Sequence, residues 1–521
     1  MSKPHKVLIG AVMLLAALGI SLWMAGCAYS PTVYAVGDLA GDAPNGVATG
    51  RFEALGTLMG SARKLRLVFV HGVSDHCPGY ALGQDQGWLS QDNLRALHMA
   101  PTDGRYLTKK MVEKEALFIP ASYIQSGAEK SSGVYMAKRE YVLDLPVKPD
   151  QTPVRIEIQA IEITWSPLTQ WVKRLQLSYD ARKAMGDSPC SVQVSEPTGL
   201  PAPERMYGNQ VIKEETLDLR LSDAILYVGS YGPLMEKGVA EALCHAVTGN
   251  NRPETCKWPS QAQEDADPYR YMFVTHSLGS RIVYDLLLNM QGYETTTRRN
   301  GIDNEVLRDA KPFTQKMLSQ INGVYMMANQ LPLLGLANFG PLTRATGGAV
   351  AYAAEEVRLD SHGNIILPES LPDPNIDKPK PLATVFQHTD GAPSFNLLGI
   401  EDCNQPFQAI ALSRDLHEAA IEVMDARTRR NAPQANFSIV AFNDTNDLLT
   451  WHLPNWYAGI NQGNCAPSLD IANVFVKNTW QLPALLEFPT DAHVGYFKNP
   501  AVWQAIACGA EGGKLKSCLA K

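Results

Sequence analysis

Three separated segments carry residue types suited to nucleophilic chemistry. The first is Phe273-Val274-Thr275-His276-Ser277-Leu278-Gly279-Ser280-Arg281-Ile282-Val283. An apolar, strand-like run enters Ser277 and a helix-periodic run leaves it, so the hydroxyl stands at a sharp strand-to-helix turn. Small residues two positions away let strand and helix approach, and Gly279 is one. The next backbone N–H, that of Leu278, lies at a helix start, where it can stabilise developing negative charge. A serine hydroxyl needs a base to become a competent nucleophile. The second segment, Phe488-Pro489-Thr490-Asp491-Ala492-His493-Val494-Gly495-Tyr496, holds the last histidine of the chain. It reads as a loop ahead of a helix from Asn499 to Cys508, and an imidazole with an ordinary pKa of about 6.5 suits the task near neutral pH. The third, Ala441-Phe442-Asn443-Asp444-Thr445-Asn446-Asp447-Leu448-Leu449, places two aspartates after an apolar run.

Strands and helices must carry these segments. Leu65–Val70, Val154–Trp165, Tyr271–Val274, Val324–Met327 and Phe437–Phe442 read as strands, with Val474–Val476 as a possible sixth. Helical periodicity covers Leu217–Val247, Ser280–Met290, Leu412–Arg427 and Pro500–Cys508. Alternation of the two predicts an α/β protein with a mostly parallel central sheet covered by helices on both faces. Residues 185–210 are proline-rich and read as a surface loop, and residues 292–312 are polar. Residues 328–432 are too long for a simple connection and read as an insertion with structure of its own.

The Ser277 segment resembles the nucleophile elbow of the α/β-hydrolase superfamily, usually written G-x-S-x-G, with Thr275 standing where glycine is usual. The resemblance implies further assignments. The strand Leu67-Val68-Phe69-Val70 ends in His71-Gly72-Val73, and in similar hydrolases such a His-Gly opens the oxyanion loop. The second oxyanion donor would then be the N–H of Val73, beside that of Leu278. The order along the chain in this family is serine, acid, histidine, which makes Ser277 the nucleophile and His493 the base. Asp447 is the preferred orienting acid because an apolar pair follows it, as in lipase-like members. Asp444 is the alternative and Asp491 a third choice. His276 flanks the nucleophile and His452 lies close to the acid, so neither is a preferred base. The superfamily places lids after the sixth strand, where 328–432 falls, and the run Asn329–Leu336 would either line an acyl pocket or pack in the core.

The N-terminus sets the compartment. Lys3 and Lys6 precede Val7–Gly26, which carries no charge. Met24-Ala25-Gly26-Cys27 resembles a bacterial lipoprotein processing box, with Cys27 the lipidated residue; an uncleaved anchor is the other reading. Both put the body on the periplasmic side of the cell envelope, and Ala28 favours the outer membrane. The chain then divides into a signal peptide with its lipobox (1–27), a tether and N-terminal edge (28–60), and a hydrolase-like domain (61–521) that contains the 328–432 lid or insertion. Of nine cysteines, an even number remains after Cys27, as suits an oxidising compartment. Cys244/Cys256 and Cys508/Cys518 are the first pairs expected from sequence proximity.

The chain has 521 residues, 45% of them apolar and 19% charged, which excludes disorder, collagen-like repeats and coiled coil as the main organisation. Its 46 basic and 53 acidic residues give a net charge of −7, so no basic face for nucleic acid is expected. No cofactor or metal is expected either; a His71, His76, Cys77 metal set is disfavoured by its cramped spacing. The expectation is a membrane-tethered serine hydrolase of the lipase or esterase kind, cleaving lipid or other acyl esters through an acyl-enzyme. An acyltransferase or thioesterase using the same triad, or an inactive scaffold lipoprotein, is the alternative. Nothing in the sequence points to an oligomeric state.

Overall fold

The computed structural model describes residues 62–121, 132–145, 154–177, 205–229, 231–249, 269–289, 320–335, 437–453, 469–478 and 489–511. It adds short pieces at 34–36, 54–59, 342–344, 350–352, 358–359, 365–366 and 514–515, and isolated positions such as Phe52, Cys190 and Cys256. Residues 1–27, expected to be a signal peptide ending at Cys27, the helical pattern expected at Leu412–Arg427, the polar stretch 292–312 and most of 328–432 lie outside these residues. Among the described residues no helix is long and apolar enough to cross a membrane.

Ten strands form one sheet: β1 (Tyr34–Val36), β2 (Lys64–Val70), β3 (Met99–Pro101), β4 (Leu117–Pro120), β5 (Gly133–Leu145), β6 (Val154–Thr164), β7 (Tyr269–His276), β8 (Ile321–Met327), β9 (Phe437–Asp444) and β10 (Leu469–Val476). The spatial order is β1-β10-β9-β8-β7-β2-β6-β5-β3, with β4 also on β5. From β6 through β2, β7, β8 and β9 to β10 every pairing is parallel. The protein is therefore of the α/β class with a mixed, mostly parallel sheet. Side chains alternate across it as the pleat requires. Val68, Val70 and Phe273 face a core shared with the helices α1 (Pro167–Leu177), α2 (Ser222–Val228), α3 (Gly232–Thr248) and α4 (Leu278–Asn289). Leu65, Leu67, Phe69, Met272 and Val274 face the other core, closed by Leu55, Leu58, Trp88, Trp503 and Ile506.

One flank departs from the expected parallel sheet. Strand β5 runs antiparallel to β6 from Tyr135 to Leu145 and carries β3 and β4. Its sequence hides it, because Lys138-Arg139-Glu140 interrupts the apolar alternation. Arg139 is nonetheless buried, its guanidinium bonded to Gln84 Oε1 and Asp103 Oδ1, each at 3.1 Å. The single helix expected over Leu217–Val247 is broken between α2 and α3. At Gly232 an added Cβ would fall 2.3 Å from the Tyr227 carbonyl oxygen, so the chain turns there in a way only glycine permits. Within the loop expected at 185–210, Tyr207–Val211 is helical and leads into a π-helical stretch, Ile212–Leu221.

At the start of the insertion, Leu331 and Leu334 pack into the core. Beyond it, Leu342–Arg344 pairs with Val350–Tyr352, and Arg358–Leu359 with Ile365–Ile366. Disulfides join Cys77 to Cys190 and Cys244 to Cys256. Cys508 is also disulfide-bonded; Cys518, its expected partner, lies outside the described residues.

Candidate active site

Parallel strands point their carboxyl ends the same way, and in open α/β sheets ligands bind where neighbouring connections leave in opposite directions. That point lies between β2 and β7. The chain leaves β2 toward the β6 side, returns through α1 to α3, enters β7 and proceeds to β8. At the carboxyl ends here stand His71-Gly72-Val73 after β2 and Ser277 after β7. The residues following β9 and β10 supply Asp447 and His493.

Ser277 has φ 51°, a left-handed conformation that side-chain-bearing residues avoid. Its N–H donates to the Met327 carbonyl at 2.8 Å, so the β7–β8 ladder holds the turn. Two glycines make room for it. A Cβ on Gly279 would lie 2.4 Å from the His71 carbonyl oxygen, and one on Gly72 would lie 2.6 Å from Ser277 Cβ. Thr275, two residues before Ser277, is accommodated by satisfying its hydroxyl, which pairs with Ser280 Oγ at 2.9 Å and donates to the Tyr325 carbonyl at 3.2 Å.

The structure brings Ser277, His493 and Asp447 into one hydrogen-bonded line. His493 Nε2 is 3.2 Å from Ser277 Oγ, and His493 Nδ1 is 2.9 Å from Asp447 Oδ1 and 3.0 Å from Oδ2. All three residues are buried. His493 does not sit on a loop, as the sequence suggested, but in the last turn of the short helix α5 (Pro489–Val494), ahead of α6 (Pro500–Cys508). Pro489 and Asp491 in the first turn favour that helix. Gly495 follows, where a Cβ would lie 2.6 Å from Asn478 Cβ, and Asn478 Nδ2 donates to the Ala492 carbonyl at 2.7 Å. The segment carrying the imidazole is thus tied to the end of β10.

Asp447 also accepts from the Leu449 N–H at 2.9 Å and from the Tyr496 hydroxyl at 3.1 Å. Asp444 is used otherwise: its carboxylate accepts from the backbone N–H of Asn446 at 3.0 Å and of Asn478 at 2.7 Å. Asp491 is exposed at the start of α5, and His452 is exposed as well. Neither is bonded to the Ser277–His493 pair.

His276 Nε2 donates to the His493 carbonyl at 2.8 Å. Burial, reinforced by the neighbouring His493, holds His276 well below the ordinary histidine pKa, so it stays neutral. His71 is fixed in the same neutral state, chiefly by burial. Its Nδ1 donates to the Gly72 carbonyl at 2.7 Å and its Nε2 accepts from the Trp165 N–H at 3.0 Å, while its ring stacks on Trp165. In a trans peptide the N–H opposes the C=O, so the N–H of Val73 points away from the His71 ring. Leu278 N lies at the first turn of α4.

Among the described residues, the one His/Cys/Asp/Glu group close enough to hold a metal ion is Cys77, Glu113 and Cys190, and its two sulfurs are joined to each other. Sequence reasoning missed Tyr496 and the carbonyl contact of His276. A tyrosine three residues beyond the histidine, on the next turn, was the signal available for the first. Comparison of the chain with protein-family models, with curated proteins and with solved structures finds no match.

Proposed function

We propose that this chain is a serine hydrolase with the α/β-hydrolase fold, cleaving carboxyl esters of lipids or other apolar acyl compounds through an acyl-enzyme. The observation that carries the reading is the Ser277–His493–Asp447 line, set at the carboxyl ends of three strands of one sheet. His493 Nε2 takes the proton from Ser277 Oγ as the oxygen attacks the acyl carbonyl. Asp447, fixed by the Leu449 N–H and the Tyr496 hydroxyl, holds the imidazole with Nδ1 protonated and stabilises the imidazolium. The N–H groups of Val73 and Leu278 receive the developing oxyanion, a contribution of roughly 10²–10³ in rate per donor. Collapse of the tetrahedral intermediate expels the alcohol, which takes the proton from His493. Water, deprotonated by the same imidazole, then releases the acid and restores Ser277.

An apolar acyl group is favoured by the residues beside the triad. Leu448, next to Asp447, is 70% exposed, and Val494, next to His493, is 44% exposed. Both put exposed hydrocarbon next in sequence to the acid and the base, which supports an apolar substrate. The proposed lipid anchor at Cys27 would hold such an enzyme at a membrane surface on the periplasmic side of the envelope. Hydrolysis of p-nitrophenyl esters from acetate to palmitate tests the reading. The prediction is turnover that rises with chain length beyond acetate and is absent in Ser277→Ala. Turnover of acetate alone contradicts the apolar substrate, and no turnover of any ester contradicts the hydrolase.

A further inference from the structure

We infer that Asp223, held by Lys173, is a positioning residue for the oxyanion loop; the inference rests on the acyl-transfer reading above. Ser74 follows Val73 and has φ 91°, a backbone conformation that an L residue adopts only under constraint. The constraint is visible. The Ser74 N–H donates to Asp223 Oδ2 at 2.8 Å, across 149 residues of sequence. Asp223 lies on α2 and is fully buried. Its Oδ1 accepts from Thr169 Oγ1 at 2.8 Å and pairs with Lys173 Nζ at 3.0 Å. Both of those residues lie on α1. Lys173 Nζ also donates to Asp75 Oδ1 at 3.1 Å and to the Leu219 carbonyl at 3.2 Å.

Both peptide planes that flank Val73 are therefore pinned. The Gly72 carbonyl is held by His71 Nδ1. The next peptide is held at its oxygen by His76 Nε2, which donates to the Val73 carbonyl at 3.2 Å, and at its N–H by Asp223. Fixing the planes on either side of a residue fixes its φ and ψ, and with them the direction of the Val73 N–H. A buried cluster of two carboxylates and one ammonium contributes little to stability compared with apolar packing of the same volume. Here it does something packing cannot: it supplies a charged acceptor to one backbone N–H and keeps Ser74 in a conformation it would otherwise leave. Lys173 offsets the Asp223 charge, so the acceptor does not repel an oxyanion forming one residue away.

The test compares wild type with Asp223→Asn, Thr169→Val and Asp223→Asn combined with Ser74→Gly. The probe substrate is p-nitrophenyl butyrate, with kcat expressed per serine titrated by a fluorophosphonate, so that misfolded protein drops out of the number. Asp223→Asn is expected to lower kcat roughly ten- to a hundredfold, with KM changed less than about threefold, and to speed amide exchange at Ser74 at least about tenfold. Thr169→Val, which keeps the ion pair, shows smaller changes of the same sign and serves if Asp223→Asn does not fold. Because glycine takes φ 91° without strain, adding Ser74→Gly restores part of the kcat. Wild-type kcat per titrated site together with wild-type exchange in Asp223→Asn overturns the proposal, whatever its melting temperature. A wild-type protein that neither turns over esters nor takes the probe overturns the acyl-transfer reading and the catalytic purpose of this contact. Amide exchange still decides, in that case, whether Asp223 holds the loop.

Discussion

The Tyr496 hydroxyl bridges the two aspartates that the sequence left in competition: it donates to Asp447 Oδ2 at 3.1 Å and accepts from the Asp444 backbone N–H at 2.7 Å. Tyr496 is buried, and burial raises its pKa well above the usual range, so it is a neutral donor throughout the working range. Its removal takes one of three donors from Asp447 and leaves an N–H without its acceptor. Tyr496→Phe should lower stability by about 1–3 kcal/mol in urea unfolding and reduce kcat more than it raises KM. An unchanged kcat with only a stability loss would mean that Asp447 is held well enough by its other donors.

The two aspartates themselves should separate cleanly. Asp447→Asn replaces the carboxylate that sets the His493 tautomer with a neutral amide, and the expected loss in kcat is about 10⁴-fold with little change in folding. Asp444→Asn touches two backbone N–H groups and not the imidazole. It should lower the melting temperature while leaving kcat within about tenfold of wild type. Steady-state kinetics with thermal melts on both variants checks the pair; equal kinetic losses would contradict the assignment.

Space at Ser277 is a separate matter. A Cβ at Gly279 would sit 2.4 Å from a backbone oxygen that has no flexible end to move aside. Gly279→Ala should therefore cost about 3 kcal/mol and abolish activity, although the change is a single methyl on a helix. Urea unfolding of the purified variant measures it, and a stability equal to wild type would show that strand and helix can separate freely here.

Acid sensitivity follows from the histidines beneath the site. Burial lowers His76 to about 4, and burial also lowers His71 and His276. In the unfolded chain each would titrate near 6.5. A depressed folded pKa means that the unfolded state binds more protons between the two values, so stability present above about pH 6.5 is lost as pH falls toward 4. His76→Gln should flatten this slope by up to about 1.4 kcal/mol per pH unit relative to wild type. Urea midpoints at several pH values decide it; parallel curves for the two proteins would contradict a neutral, half-buried His76.

How much of this could be read beforehand depended on how local the signal was. Ser277 and Gly279 announce themselves because strand, turn and helix are consecutive in sequence. Asp447 could be preferred over Asp444 from the apolar pair after it, and the hydrogen bonds separate the two residues in space. His493 was legible as the last histidine before a helix, but the helix it sits on was not, since Pro489–Val494 is short and reads as a loop. Strand β5 was missed because its charged residues at 138–140 mask the alternation, and Arg139 finds its partners on other segments. The Cys244–Cys256 pair, 12 residues apart, was an obvious guess. Cys77–Cys190, 113 apart, was not. Tyr496 and Asp223 belong to the same class: their importance lies in what each touches, and those partners are fixed only when distant segments meet.

The proposed chemistry requires that His493 activate Ser277. Reaction of the full chain with a fluorophosphonate probe, followed by peptide mass mapping, measures this most directly. One probe per chain on Ser277 is expected, with none on the Ser277→Ala variant and a rate lowered at least about a hundredfold in His493→Ala. A folded wild-type protein that leaves Ser277 unlabelled, or labelling that proceeds as fast without His493, would contradict it.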